Sequence, residues 1–99
     1  MEPEDAKLKR REQEDADDLR WLLSGPRGRR IVHRDLEEAG VFRSVFNTNA
    51  MAMAFAEGRR NAGLQKLARV MASNPSAYAL MLKENHEDER RNPADADAD

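Results

Sequence analysis

The sequence predicts an all-α fold, a small four-helix arrangement around one long central helix, with charged and flexible ends. Residues 49–73 are rich in alanine, leucine and methionine, which are strong helix formers. Three breaks separate this stretch from shorter helices: Ser24-Gly25-Pro26, Gly40 and Asn74-Pro75. The run from Val41 to Phe46 is too short to form a sheet alone. The pattern therefore favours helices packed on helices.

The long helix is expected to run from Asn49 to Ser73, a length of roughly 35 Å. Asn47, Thr48 or Asn49 can supply the oxygen that caps its first turn. At 3.6 residues per turn the first half carries one apolar stripe, formed by Met51, Phe55, Gly58 and Ala62. A second stripe dominates the other half and comprises Met53, Ala56, Leu64, Leu67 and Met71. The two ends of this helix are therefore expected to touch different neighbours.

Two glycines and one arginine break the helical pattern. Gly58 and Gly63 each cost about 1 kcal/mol relative to alanine inside a helix, and close approach of a crossing helix is favoured over a ligand role. Arg60 projects on the same side as Leu64, where a charge needs a partner. We expect a buried Asp35–Arg60 pair, with Glu38 or Glu57 as the alternative acid.

The segments before and after the long helix divide by composition into three regions. Residues 1–18 form a charged N-terminal extension, either a frayed helix, which is favoured, or disordered chain. Residues 19–88 form the helical domain, and residues 89–99 an acidic disordered tail. Such a small core rarely supplies more than about 3–5 kcal/mol alone, which favours a homo-oligomer or docking on a larger partner.

Within the domain, a second helix is expected from Pro26 to Ala39, with a left-handed glycine cap at Gly40. Its apolar face comprises Ile31, Val32, Leu36 and Ala39, and its polar face Arg30, His33, Arg34 and Glu37. Phe42 and Phe46 are expected in the core, where the chain wraps the base of the long helix. A final helix after Pro75 carries Ala77, Tyr78, Met81 and Leu82.

Several classes of function are disfavoured. The absence of cysteine rules out disulfides and thiolate metal sites, and no apolar run approaches membrane-spanning length. His33-Arg34-Asp35-Leu36 matches a kinase tetrapeptide, but Gly40 stands where that signature requires asparagine. Gly58 and Gly63 have phosphate-loop spacing without the lysine that must follow. We therefore expect no enzyme activity, no catalytic residue, no metal and no cofactor.

Charge is segregated along the chain. Residues 1–18 hold four basic and eight acidic side chains, residues 19–72 ten and four, and residues 73–99 three and seven. The basic centre predicts a contact surface formed by Arg27, Arg29, Arg30, Arg34, Arg59, Lys66 and Arg69. Its partner is either the phosphate backbone of nucleic acid or an acidic surface, whether the chain's own ends or another protein.

Three stretches together carry a family resemblance: residues 19–32, residues 39–46, and Phe55-Ala-Glu-Gly-Arg-Arg-Asn-Ala-Gly-Leu64. They resemble a family of small proteins encoded near the portal and head genes of short-tailed bacteriophages and their prophages. The most specific part is the aromatic-x-Glu-Gly-Arg-Arg-x-x-Gly-Leu string, preceded by Gly-x-Phe-Arg-Ser at residues 40–44. The resemblance covers about Leu19 to Leu82 and implies phage origin and association with the virion.

These observations favour a non-enzymatic phage virion or assembly protein. It would act in many copies at the portal, the neck (head–tail connector) or the DNA-ejection apparatus, with host cytoplasm as its location during assembly. Asp35, Gly40, Phe55, Gly58, Arg60 and Gly63 are the residues expected to have structural roles. The alternative is a small DNA-binding accessory factor in packaging or regulation.

Overall fold

A computed structural model describes the backbone of residues 3–90 and the side chains of residues 3–88. It contains four helices, α1 (Glu4–Leu22), α2 (Pro26–Glu38), α3 (Ala50–Ser73) and α4 (Pro75–Arg90), and the described residues form no strand. The predicted all-α fold is confirmed. Most of the predicted acidic tail, residues 91–99, lies outside the described part of the chain.

Helix α1 joins most of the predicted charged extension and the first apolar segment into one 19-residue helix. None of its residues is buried, and its charged side chains pair along its own surface, as Arg20 does with Asp17 at 3.0 Å. Its C-terminal half packs on the domain, chiefly against α3. The Cα radius of gyration is 17.4 Å, against about 13 Å for a compact chain of this length. The molecule is therefore elongated.

Helix α2 begins and ends at the residues that the sequence singles out. Pro26 occupies the first turn, where its missing N–H costs nothing. At the other end Gly40 has a φ of 84°, its N–H donates to the Glu37 carbonyl, and the Val41 N–H donates to the Leu36 carbonyl. This Schellman motif confirms the predicted glycine cap, and it turns Val41 into the core.

Side-chain caps begin the next two helices. Asn49 is the residue that caps α3, because its Oδ1 accepts the Ala52 N–H at 3.0 Å. Asn74 Oδ1 accepts the Ala77 N–H at 3.1 Å at the start of α4, directly before Pro75. Local polar chemistry therefore sets both helix starts.

The core lies mainly around α2. Helix α4 packs chiefly on α2, and α3 contacts the other three helices. The buried apolar side chains are Leu23, Val32, Leu36, Val41, Val70, Ala77 and Met81. Helix α3 is the longest at 24 residues, yet it buries only Gly63 and Val70, whereas the 13 residues of α2 bury four. The predicted long helix exists, but α2 is the more deeply buried element.

The glycines differ in their surroundings. A Cβ on Gly63 would lie 2.6 Å from Val41 Cγ2 and 2.7 Å from Ala39 Cβ, so the expected close packing is confirmed there. A Cβ on Gly58 would meet nothing within 4 Å, so no helix of the described part of the chain crosses at that position, and close packing there stays a prediction. Gly28 was not singled out, yet a Cβ there would overlap the Leu22 carbonyl oxygen. Gly28 allows α2 to cross the end of α1.

Both phenylalanines of the connection between α2 and α3 lie outside the core, contrary to prediction. Phe46 is 80% exposed and Phe42 43% exposed. The buried core next to the end of α2 contains Val41 and Leu36, and neither ring belongs to it. Phe42 instead stacks on His33, with ring centroids 5.1 Å apart and an interplanar angle of 19°.

Candidate functional site

The outer face of α2 carries three arginines in one stripe. Arg27, Arg30 and Arg34 follow at helical spacings of three and four residues and span about 10 Å of the helix. All three are exposed, and none forms a hydrogen bond or ion pair with the described residues. Ile31 lies beside them and is 43% exposed. We call Arg27, Arg30 and Arg34 the arginine stripe.

Arg29, the fourth arginine of this helix, points inward. Its Nε donates to Glu84 Oε1 of α4 at 2.5 Å, and its Nη1 donates to the Leu23 carbonyl at 3.0 Å. The side chains of Arg29 and Glu84 are only 12% and 31% exposed. Arg29 therefore joins the end of α1 to α4, and its contacts within the chain occupy the guanidinium.

The three α3 residues of the predicted contact surface, Arg59, Lys66 and Arg69, lie apart from the arginine stripe. Arg59 Nη2 donates to the Glu38 carbonyl at 2.7 Å, which satisfies an acceptor at the C-terminal end of α2. Arg69 lines a cleft between α1 and α3 together with Glu12 and Asp15. A role for these residues, for Lys66 and for Arg29 in contacting a partner stays a prediction.

The expected Asp35–Arg60 pair is not formed. Asp35 Oδ2 instead pairs with Lys66 Nζ at 3.3 Å, and both side chains are nearly half exposed. Six residues separate Arg60 from Lys66, which places them about 120° apart around α3, so an acid facing one cannot reach the other. Arg60 Nε is buried without a hydrogen-bond partner among the described residues. The Asp35–Lys66 pair contributes at most about 1 kcal/mol because water screens it.

The first apolar stripe of α3 faces solvent. Met51 is 84% exposed and Phe55 70% exposed, and Gly58 and Ala62 are exposed on the same side. Clefts on another side of this half-helix are lined by α3 residues, Met53 and Arg60 among them, together with Val45 and Phe46 of the connection. We call Met51, Phe55, Gly58 and Ala62 the Met51–Ala62 face.

His33 was predicted on the polar face of α2, yet it is buried. Its side chain is 8% exposed, and its Nδ1 lies 3.8 Å from Glu37 Oε2. His33 and His86 of α4 line one cleft, which measures about 390 Å³ and is also lined by Phe42 and Leu82. The sequence signal for the burial of His33 was its position three residues before Leu36 on α2. No group of three metal-ligating side chains occurs in the described part of the chain.

Comparison with known proteins identifies the family. Residues 19–83 match the family described as Bbp19-like phage protein, which is well over half of the 99 residues. The chain belongs to this family. No curated protein matches it, and no solved structure does. The Bbp19-like region contains all of α2 and α3, so both exposed surfaces lie within it.

The family match confirms that the resemblance to small phage proteins was correct. The expected relation to portal and head genes of short-tailed phages stays a prediction. Among the described residues, no helix is both long enough and apolar enough to cross a membrane.

Proposed function

We propose that this Bbp19-like protein is a non-enzymatic virion or assembly protein that acts in many copies at the portal, neck or DNA-ejection apparatus. The observation that carries the proposal is the arginine stripe, because its three cations have no partner among the described residues. Free cations aligned on one helix face suit a partner that presents an acidic surface.

An acidic protein surface fits the stripe better than a nucleic acid does. Ile31 is partly exposed among the arginines, and arginine mixed with apolar side chains is typical of protein interfaces. We therefore assign the stripe to an acidic surface of a portal or neck protein.

The location of the protein tests the proposed function. Quantitative mass spectrometry of purified mature virions, from a phage that encodes this chain, is expected to find it in constant proportion to the portal protein. Abundance in the lysate with absence from the virion would contradict a virion role at the portal, neck or ejection apparatus.

Neutralising the stripe tests the contact. A variant with Arg27→Gln, Arg30→Gln and Arg34→Gln is expected to bind isolated portal protein at least tenfold more weakly at low salt. Binding of the unmodified chain should weaken as salt rises, because exposed charges are screened. The matched control neutralises three other exposed cations, Lys9, Arg11 and Lys83, and should bind as the unmodified chain does. Equal loss in both variants would show a net-charge effect and contradict the assignment.

The second candidate is a small DNA-binding accessory factor in packaging or regulation. In that role the arginine stripe would contact DNA phosphates. Binding to a duplex DNA fragment of about 20 base pairs should then fall steeply with salt and depend on the stripe. DNA binding by the unmodified chain, together with absence from the virion, would favour this candidate over the first.

A further inference from the structure

The Met51–Ala62 face is an apolar surface that the described part of the chain leaves open. Its two large side chains, Met51 and Phe55, are 84% and 70% exposed, and nothing lies within 4 Å of a Cβ on Gly58. Exposed apolar side chains that adjoin on one helix face mark an interaction site. Further along α3, Ala72 and Ser73 line a cleft between this helix and α1.

The order of large and small residues makes this face complementary to itself. The large residues, Met51 and Phe55, come first, and the small residues, Gly58 and Ala62, follow one and two turns later. When two copies of α3 cross antiparallel about a two-fold axis at Gly58, Phe55 of one copy lies over Gly58 and Ala62 of the other. A two-fold interface requires such complementarity of a patch with itself. A parallel crossing would instead place Phe55 against Phe55.

The area available matches a weak dimer. An aromatic side chain buries about 150–250 Å², so Met51 and Phe55 together offer roughly 250–300 Å² per copy. With the flanking small residues, two copies would bury roughly 600–800 Å², below the size of a standard stable interface. Such a contact forms where the local concentration of the protein is high, as in an assembly that holds many copies.

We propose that the Met51–Ala62 face joins two copies of this chain, packed antiparallel around a two-fold axis at Gly58. This inference rests on the proposed function, in which the protein acts in many copies. The face contains no charged residue, so self-association should persist in high salt, whereas binding through the arginine stripe should not. The proposed dimer contact and the proposed binding through the arginine stripe can therefore be disproved independently of each other.

Sedimentation velocity over a range of concentrations tests the dimer. The unmodified chain is expected to shift from monomer to dimer, and Phe55→Ser is expected to weaken the dimer at least tenfold. Trp21→Ser is the matched control, since Trp21 is 77% exposed but lies on α1. A chain that stays monomeric at the highest concentration, or equal weakening by both variants, would overturn the proposal. Neither result would bear on the presence of the protein in virions.

Disulfide trapping tests the antiparallel arrangement, which is practical because the chain has no cysteine. Gly58→Cys places the thiols near the two-fold axis and should cross-link two copies under mild oxidation. Ala62→Cys should not, because the two Cα atoms would be about 12 Å apart along the helices, beyond disulfide reach. Cross-linking of both variants would indicate a parallel pair, and cross-linking of neither would exclude contact at Gly58. Both results overturn the proposed geometry.

Discussion

At the scale of single residues, glycines with the same intrinsic helix propensity have opposite roles in α3. Gly58 faces open space, so its cost in helix stability is not offset within the described fold. Gly63 lies against Val41 and Ala39, at the point where the end of α2 meets α3. A side chain at Gly63 would push these two helices apart. The neighbourhood, rather than the residue type, decides the effect of each substitution.

Alanine substitution at the two glycines should therefore change stability in opposite directions. Gly58→Ala is expected to raise the free energy of unfolding by about 0.5–1 kcal/mol, because alanine loses less backbone entropy in a helix. Gly63→Ala is expected to lower it by about 1–2 kcal/mol, because overlap with Val41 and Ala39 outweighs that gain. Urea unfolding at low protein concentration measures both, and each variant is the control for the other. Stabilisation by both would show that the contact at Gly63 relaxes freely.

At the scale of elements, helix ends are held by specific local hydrogen bonds. The Schellman motif at Gly40 ends α2 and directs Val41 into the core, so one residue couples helix termination to packing. Asn49 and Asn74 begin α3 and α4 in the same local way. These devices depend on neighbours within a few residues, which is why the end of α2 and the starts of α3 and α4 follow closely from the sequence.

Replacing the cap at Gly40 should destabilise the fold. Gly40→Ala forces a Cβ into the left-handed region and is expected to cost about 1–2 kcal/mol. Gly25→Ser is the control, since Gly25 has a φ of −124° and no atom within 4 Å of an added Cβ. That variant should change stability by no more than about 0.5 kcal/mol. Thermal and urea unfolding followed by circular dichroism compare the two. Equal stability of both variants would contradict a special role for the left-handed cap.

At the scale of the whole molecule, a charged helical extension projects from a small domain. Helix α1 buries no residue, whereas Leu23, just after its end, is 1% exposed in the core. The domain therefore draws its stability from residues after the extension. The Bbp19-like region begins at residue 19, which agrees with this division.

Removing residues 1–11 should consequently leave the domain folded. The free energy of unfolding is expected to change by less than about 0.5 kcal/mol, because the side chains of residues 3–11 are largely exposed. Leu23→Ala, which opens a cavity, should cost about 2–4 kcal/mol and serves as the contrast. Urea unfolding measures stability, and small-angle X-ray scattering should show a smaller radius of gyration for the shortened chain. A large loss of stability on truncation would mean that the extension packs on the domain.

Sequence by itself determined the all-α class, the bounds of α2 and α3 to within a residue, the start of α4, the Gly40 cap and the resemblance to small phage proteins. Each depends on helix propensity, capping or motif, which act over a few neighbouring residues. The sequence also identified the arginines and both apolar stripes of α3, but not which of them would be exposed.

Only the tertiary structure decided those exposures. It turned Arg29 toward Glu84, left Arg27, Arg30 and Arg34 in solvent, and buried His33 against Phe42. It also placed Lys66 rather than Arg60 beside Asp35, and left the Met51–Ala62 face uncovered. The physical reason is that a helical periodicity identifies which residues share a face, whereas the packing of distant helices determines which face is covered.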